Sequence, residues 1–153
     1  MQPMDGNIAS VIRKFSYPMW IILQDTDVDC PCVDFTSKQA DPMCMKCLGT
    51  GHKIRLKHIL MAHQNDKVSI KGKEVGTSEY TVYPVFYALT DAKCSQGDFV
   101  IDGDEVFVVQ HYYAEHSNAS SPVYYKIEAM PKKNDNDTLL KHFHEVLRGA
   151  GYE

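Results

Sequence analysis

Residues 30–51 read CPCVDFTSKQADPMCMKCLGTG and contain four of the five cysteines of the chain. The cysteines form two short clips, Cys30-Pro-Cys32 and Cys44-Met-Lys-Cys47, which are separated by eleven residues. A structural zinc site needs four ligands in a tetrahedron, and two thiolate clips joined by a loop supply them. The spacing therefore predicts one structural Zn²⁺ bound by Cys30, Cys32, Cys44 and Cys47.

Other interpretations of these cysteines stay open. One alternative is that the cysteines are free thiols, and another is that they form a thioredoxin-like redox pair. A redox pair is expected at the end of a βα unit, but neither clip precedes a helical pattern. His52 can replace one cysteine as a ligand, although a neighbouring position is the simpler expectation. The fifth cysteine, Cys94, is expected to be a core or loop thiol.

The cysteine segment lies in a long stretch, residues 25–51, that has no usable periodicity. A loop of this length inside a compact domain requires another source of order, which a bound metal provides. We therefore expect a zinc-binding insert at about residues 28–52 of a single domain that covers residues 1–153.

The rest of the chain is dominated by short strand-like runs. The clearest cue is Asp102-Gly103 between two β-rich runs, a strong hairpin signal. Apolar residues at helical spacing predict a helix at residues 7–15, capped by Asp5 or Asn7, and another at residues 137–148. Strands are predicted at residues 19–24, 53–61, 67–71, 79–88, 98–101, 105–109 and 122–130.

These elements predict a mainly β fold: a small β-barrel or sandwich with N- and C-terminal helices and a zinc-stabilised loop insert. The chain has 153 residues, of which 44% are hydrophobic and 24% charged, which is ordinary for a globular domain. The longest apolar run, residues 19–23, is far too short to span a bilayer. The N-terminal residues lack a signal-peptide pattern, so we expect synthesis in the cytoplasm and no membrane association.

Charge and motifs narrow the function classes. The net charge is −4, which argues against duplex nucleic acid as the main partner because phosphate contacts need a basic face. A local basic stretch at residues 52–58 is expected to be a solvated strand face. His111-Tyr112-Tyr113 is expected to be a half-exposed strand end, and His142 and His144 are expected to face different directions. Metalloprotease, deaminase and phosphate-loop patterns do not occur, so we do not expect an enzyme.

Two segments resemble neck proteins of tailed bacteriophages, of the head-closure or head–tail connector type. The first is the cysteine segment, with Cys-Pro-Cys followed by Cys-x-x-Cys-x-Gly-Thr-Gly. The second is residues 97–109, GDFVIDGDEVFVV, which is similar to the pattern that closes the small barrel of head-closure subunits. The segment from Cys44 to Gly51 also resembles the zinc half-motif of DnaJ-type chaperones, which implies zinc chelation only.

The resemblance implies a structural virion protein in the neck. Such subunits form a ring with copies of themselves, between a portal or adaptor protein and a tail or tail-terminator protein. Packaged DNA passes through the ring without sequence-specific binding. An alternative is a zinc-stabilised adaptor or nucleic-acid-binding module.

Overall fold

The computed structural model describes residues 3–64, 84–115, 124–132 and 136–151. The elements run α1 (Pro3–Phe15), β1 (Tyr17–Asp29), β2 (His52–Gln64), β3 (Val85–Ala88), β4 (Phe99–Asp102), β5 (Glu105–Glu115), β6 (Tyr124–Pro131) and α2 (Asn136–Gly149). The strands close an antiparallel barrel in the order β1-β2-β3-β6-β5-β4. The predicted mainly β fold with terminal helices is confirmed, and its form is a barrel.

Residues 19–22 of β1 are covered on both faces of the sheet, which explains the continuous apolar run there. Met19 and Ile21 point into the barrel interior, whereas Trp20 and Ile22 belong to a second cluster that covers the outside of the barrel. A strand covered on both faces loses the apolar–polar alternation of a half-exposed strand.

The interior cluster and the outer cluster are formed by side chains from different sets of elements. The interior is filled by side chains from all six strands and from the β3–β4 connection. The outer cluster joins helix α2 to the barrel, and the predicted apolar face of α2 is confirmed by it. Its buried members are Ile22, Leu48, Ile101, Val106, Leu139, Phe143 and Leu147, with Leu140 and Val146 packed against them.

The connection between β3 and β4 plugs one end of the barrel. Ala92 and Cys94 from this connection are buried in the interior cluster, so the prediction of a core or loop thiol for Cys94 is confirmed. Burial raises the pKa of Cys94 to about 12. The connection is tied to β1 by Asp98, whose carboxylate accepts hydrogen bonds from the backbone N–H groups of Gln24 (3.0 Å) and Ser95 (2.8 Å).

We expect Asp98→Asn to lower the free energy of unfolding by roughly 2–3 kcal/mol, since hydrogen bonds to a charged group are lost and a buried N–H is left unsatisfied. Asp98 is almost fully buried, and an asparagine has only one acceptor oxygen for the two N–H donors. Urea unfolding measures the loss. The matched control is Asp104→Asn at the exposed β4–β5 turn, which should change little. Equal stability of the two variants would contradict the role given to Asp98.

The opposite end of the barrel is closed by a polar cluster that the sequence did not reveal. The Tyr17 hydroxyl donates to Oδ2 of Asp102 at 2.7 Å, and Nδ1 of His63 lies 2.8 Å from the same oxygen. The His63 ring stacks on Phe86 of the interior cluster. Burial and the contact with Asp102 both raise the pKa of Tyr17.

Helix α1 differs from its prediction. It begins at Pro3, so the predicted start at residue 7 with a cap at Asp5 or Asn7 is wrong. Of its apolar face, Ile12 is buried, but Val11 and Phe15 are 55% and 60% exposed. The pattern identified an apolar face that the described barrel covers only in part.

Strands β1 and β2 continue beyond the barrel as a two-stranded arm. Strand β4 pairs with β1 only at residues 20–22, whereas the β1–β2 ladder continues to Asp25↔Lys53 and Asp29↔His52. We call residues 24–54 the arm; the cysteine segment forms its tip. Strand β1 thus extends to Asp29, into the stretch that the sequence analysis treated as a loop.

Two of the predicted strands cannot be compared in full with the described residues. The predicted strand at residues 67–71 and the first part of the one at 79–88 lie outside the described residues.

Within the described ranges, neither helix has the length and apolar character needed to cross a bilayer.

Candidate metal centre

The four cysteine sulfurs predicted to bind metal lie together at the tip of the arm. All four Sγ atoms are within 4.8 Å of one another. The two clips interleave, because Cys30 Sγ lies 3.8 Å from Cys44 Sγ, and Cys32 Sγ lies 3.6 Å from Cys47 Sγ. Four sulfurs around a tetrahedral ion at a Zn–S distance of 2.3 Å are roughly 3.8 Å apart. The group can therefore hold a metal ion with little rearrangement.

Short backbone hydrogen bonds build each clip. In the first, the Val33 N–H donates to the Cys30 carbonyl at 3.0 Å, and the Cys30 N–H donates to the Gly51 carbonyl at 2.9 Å, which joins the two ends of the loop. In the second, the N–H and the hydroxyl of Thr50 both donate to the Cys47 carbonyl, at 3.0 and 2.8 Å. These contacts fix the turns that aim the sulfurs at one point.

The glycines after the second clip are required by the backbone. Gly49 and Gly51 both have a φ of +82°, in the left-handed region that side chains disfavour. A Cβ at Gly51 would lie 3.2 Å from the Ala40 Cβ, and one at Gly49 would lie 3.3 Å from the Pro42 carbonyl oxygen. The Gly-x-Gly spacing therefore lets the chain pass closely beneath the loop between the clips.

We expect Gly51→Ala to destabilise the arm by about 1–2 kcal/mol, the cost of a left-handed conformation for a residue with a Cβ. The contact with Ala40 adds to this cost, so metal affinity should fall at least tenfold. Competition with a chromophoric chelator measures the affinity. The control is Gly149→Ala, at a helix end where a Cβ meets nothing within 4 Å. An unchanged affinity in Gly51→Ala would refute this reading of the loop.

The thiols differ in how readily they lose a proton. Burial raises the pKa of Cys44, but hydrogen bonds from the backbone amides of Cys47 and Lys46 and from nearby thiols outweigh this effect and lower the pKa to about 7. For Cys32, an amide hydrogen bond lowers the pKa, yet burial and the neighbouring thiols raise it to about 12. Metal binding requires thiolates, so it displaces protons here, and affinity should fall as the pH is lowered.

His52 directly follows the metal loop in sequence but is not grouped with the four cysteine sulfurs. Its Nδ1 lies 3.8 Å from Oδ1 of Asp29, its ladder partner across the arm. The four-sulfur set is complete without a histidine, and His52 as a neighbour of the site stays a prediction.

The metal loop is attached to the body of the protein through Leu48. This residue follows Cys47 directly, adopts a φ of +54°, and is buried in the outer cluster beside Leu139, Phe143 and Leu147 of α2. A non-glycine residue in this conformation carries strain of about 1–2 kcal/mol, which its burial offsets. This role could not be predicted from the sequence, because nothing in the local pattern distinguishes Leu48 from other loop residues.

The remaining histidine candidates are dispersed. His111 and Tyr113 are exposed on β5, while Tyr112 packs against the interior cluster, as strand alternation predicts. In α2, His142 is buried and His144 is half-buried beside the Phe143 ring. Neither pair forms a metal-binding group among the described residues.

A second feature lies where the arm leaves the barrel. A cavity of about 550 Å³ opens there, and its lining brings Arg55, Lys57 and Lys93 together above Cys94 and Asp98. Lys57 also donates to the Asp91 carbonyl. The β3–β4 connection thus contributes Lys93 to the same cavity as Arg55 and Lys57 of the basic stretch, together with the carboxylate of Asp98.

Comparison with known protein families and with curated proteins gives no match to this chain.

Proposed function

We propose that this protein is a ring-forming connector subunit in the neck of a tailed bacteriophage, of the head-closure or head–tail adaptor type. The observation that carries the proposal is the resemblance of two segments, residues 30–51 and 97–109, to neck proteins. The closed barrel with terminal helices is compatible with a subunit whose work is assembly.

The positions of the two segments in the fold support this proposal. The first forms the tip of the arm, which is anchored beside α2 through Leu48 but exposes Phe35 and Met43 to solvent. The second begins at the barrel plug and forms the β4–β5 hairpin, where Gly103 has the positive φ of a tight turn. In this proposal residues 97–109 help to form the barrel, and residues 30–51 present a surface for assembly.

In this proposal the metal is Zn²⁺ and its role is structural. Four sulfur ligands complete a tetrahedral shell with no position for water, which is typical of zinc sites that order a loop. Zinc would be held by Cys30, Cys32, Cys44 and Cys47. The partners are other copies of the chain in a ring, a portal or adaptor protein on one side, and a tail or tail-terminator protein on the other.

The test is quantitative peptide mass spectrometry of purified virions from the source phage, scaled to the portal protein. A ratio near one, or a simple fraction of it, is the expected result for a neck ring. Absence from virions would overturn the connector proposal.

A zinc-stabilised nucleic-acid-binding module is the second candidate, and the basic cavity favours it. Arg55, Lys57 and Lys93 line one cavity, and such cations contact phosphates with an affinity that falls steeply with salt. Titration of duplex and single-stranded DNA at two salt concentrations distinguishes the candidates. Tight, salt-dependent binding that Arg55→Gln weakens would favour this module.

A further inference from the structure

The arm tip exposes large apolar side chains around the metal loop. Phe35 is 89% exposed, Met43 is 60% exposed, and Met45 is also exposed. We call these three residues the tip patch. A loop that is held in place by its own hydrogen bonds and sulfur cluster does not need these side chains for its fold. Several large apolar side chains exposed on one short loop are typical of a contact surface.

A second apolar surface, which the described residues cover only in part, lies at the other end of the barrel. A cavity of about 590 Å³ runs between α1, the end of β2, and the aromatic residues Tyr87 and Tyr124. Its α1 side is formed by Ile8, Val11, Ile12 and Phe15. We call this cavity the α1 groove. Its mainly apolar lining suits a Phe or Met side chain better than a charged one.

The two surfaces differ in charge. Residues 25–51 carry five aspartates against two lysines, and all five aspartates are exposed. The last turn of α1, beside the groove, carries the exposed cations Arg13 and Lys14. On the far side of the groove, Glu115 and Lys126 both lie close to Tyr124, so these two charges offset each other and the α1 side keeps its positive edge.

A single chain cannot join the two surfaces to each other. The loop that carries the tip patch packs through Leu48 on the outside of β1, β4 and β5 beside α2, whereas the groove lies between α1, the end of β2, and Tyr87 and Tyr124 of β3 and β6. The two surfaces thus lie on different sides of the barrel. Any contact between the surfaces is therefore between different copies. A contact between two different surfaces of identical copies is head-to-tail, and it generates a ring when the rotation closes.

We propose that the tip patch of one copy docks in the α1 groove of a neighbouring copy, with the arm aspartates beside Arg13 and Lys14. This contact rests on the proposed ring-forming function, and it names the surfaces that would form the ring. Phe35 is the anchor, because a buried aromatic side chain contributes about 150–250 Å² of contact area.

The test is zero-length carbodiimide cross-linking of the metal-loaded protein, prepared as an equal mixture of normal and ¹⁵N-labelled chains at high concentration. The expected products join Lys14 of one copy to Asp34 or Asp41 of another, and mixed isotopes identify them as intermolecular. Absence of mixed-isotope Lys14–arm products would overturn the proposal.

Two complementary variants make the test specific. Phe35→Asp damages the tip patch, and Val11→Glu damages the groove, so each alone should lose at least tenfold of the cross-linked product. Mixed together they should form it again, because one copy has an intact groove and the other an intact tip patch. If Val11→Glu unwinds α1 by circular dichroism, Phe15→Ala replaces it. Leu60→Ala, an exposed residue outside both surfaces, should cross-link normally.

The outcomes separate the contact from the function. Cross-linking as expected, in a protein that is absent from virions, supports the contact and overturns the neck function. If the protein is present in virions at ring stoichiometry but forms no Lys14–arm products, the proposed neck function is supported and the proposed contact is overturned. If the Phe35→Asp variant alone formed as much cross-linked product as the wild-type protein, this result would also overturn the contact.

Discussion

Replacing Cys44 with serine is expected to abolish stoichiometric metal binding and to unfold the arm tip while the barrel stays folded. A serine hydroxyl does not replace a thiolate in a four-sulfur shell, and binding of structural zinc can contribute on the order of 10 kcal/mol to folding. The interior cluster of the barrel contains none of the four clip cysteines, so its packing is preserved. Metal content per chain and amide hydrogen exchange, followed separately in arm and barrel, measure the effect.

The control for this experiment is Cys94→Ala, which also removes one cysteine. Cys94 lies in the barrel interior and outside the metal-binding group, so this variant should keep its metal and lose only some stability. We also expect Cys44→Ser to block assembly before it unfolds the barrel. A Cys44→Ser protein that retains one metal per chain, or that assembles normally, would contradict the account of the arm.

Phe143→Ala is expected to lower the free energy of unfolding by about 3–5 kcal/mol, as for other large-to-small changes in a packed core. Phe143 is almost fully buried between α2 and the barrel and packs edge-on against Trp20, with ring centroids 5.9 Å apart. Because Leu48 packs in the same cluster, the cavity should also loosen the metal loop and weaken metal binding. Denaturant unfolding and chelator competition measure the two effects.

The matched control is Leu140→Ala in the same helix. Leu140 is only partly buried at the edge of the cluster, so its truncation should cost clearly less and leave metal affinity unchanged. Equal losses in the two variants would mean that α2 is not anchored through Phe143. A large loss in Phe143→Ala with unchanged metal affinity would break the proposed link between helix and metal loop.

Local patterns predicted the parts of the fold that local physics determines. The Asp102-Gly103 turn, the apolar face of α2 and the buried run at residues 19–23 all depend on neighbours close in sequence. The clip spacing likewise predicted four cysteines that the structure brings together, since each clip positions two sulfurs through its own turns.

Features that depend on distant residues were not predictable in this way. The cluster of Tyr17, Asp102 and His63 joins three strands whose positions become neighbours only when the barrel closes. The role of Leu48 depends on where α2 packs. The start of α1 was misjudged because Asp5 and Asn7 are good caps, although the helix continues through both of them.

The most direct test of the central claim is X-ray absorption spectroscopy at the zinc edge on the purified protein, together with metal analysis. We predict one zinc per chain with four sulfur neighbours at about 2.3 Å and no nitrogen neighbour, which would also exclude His52 as a ligand. A different metal, a mixed sulfur and nitrogen shell, or fewer than four sulfurs would contradict a structural zinc held by Cys30, Cys32, Cys44 and Cys47.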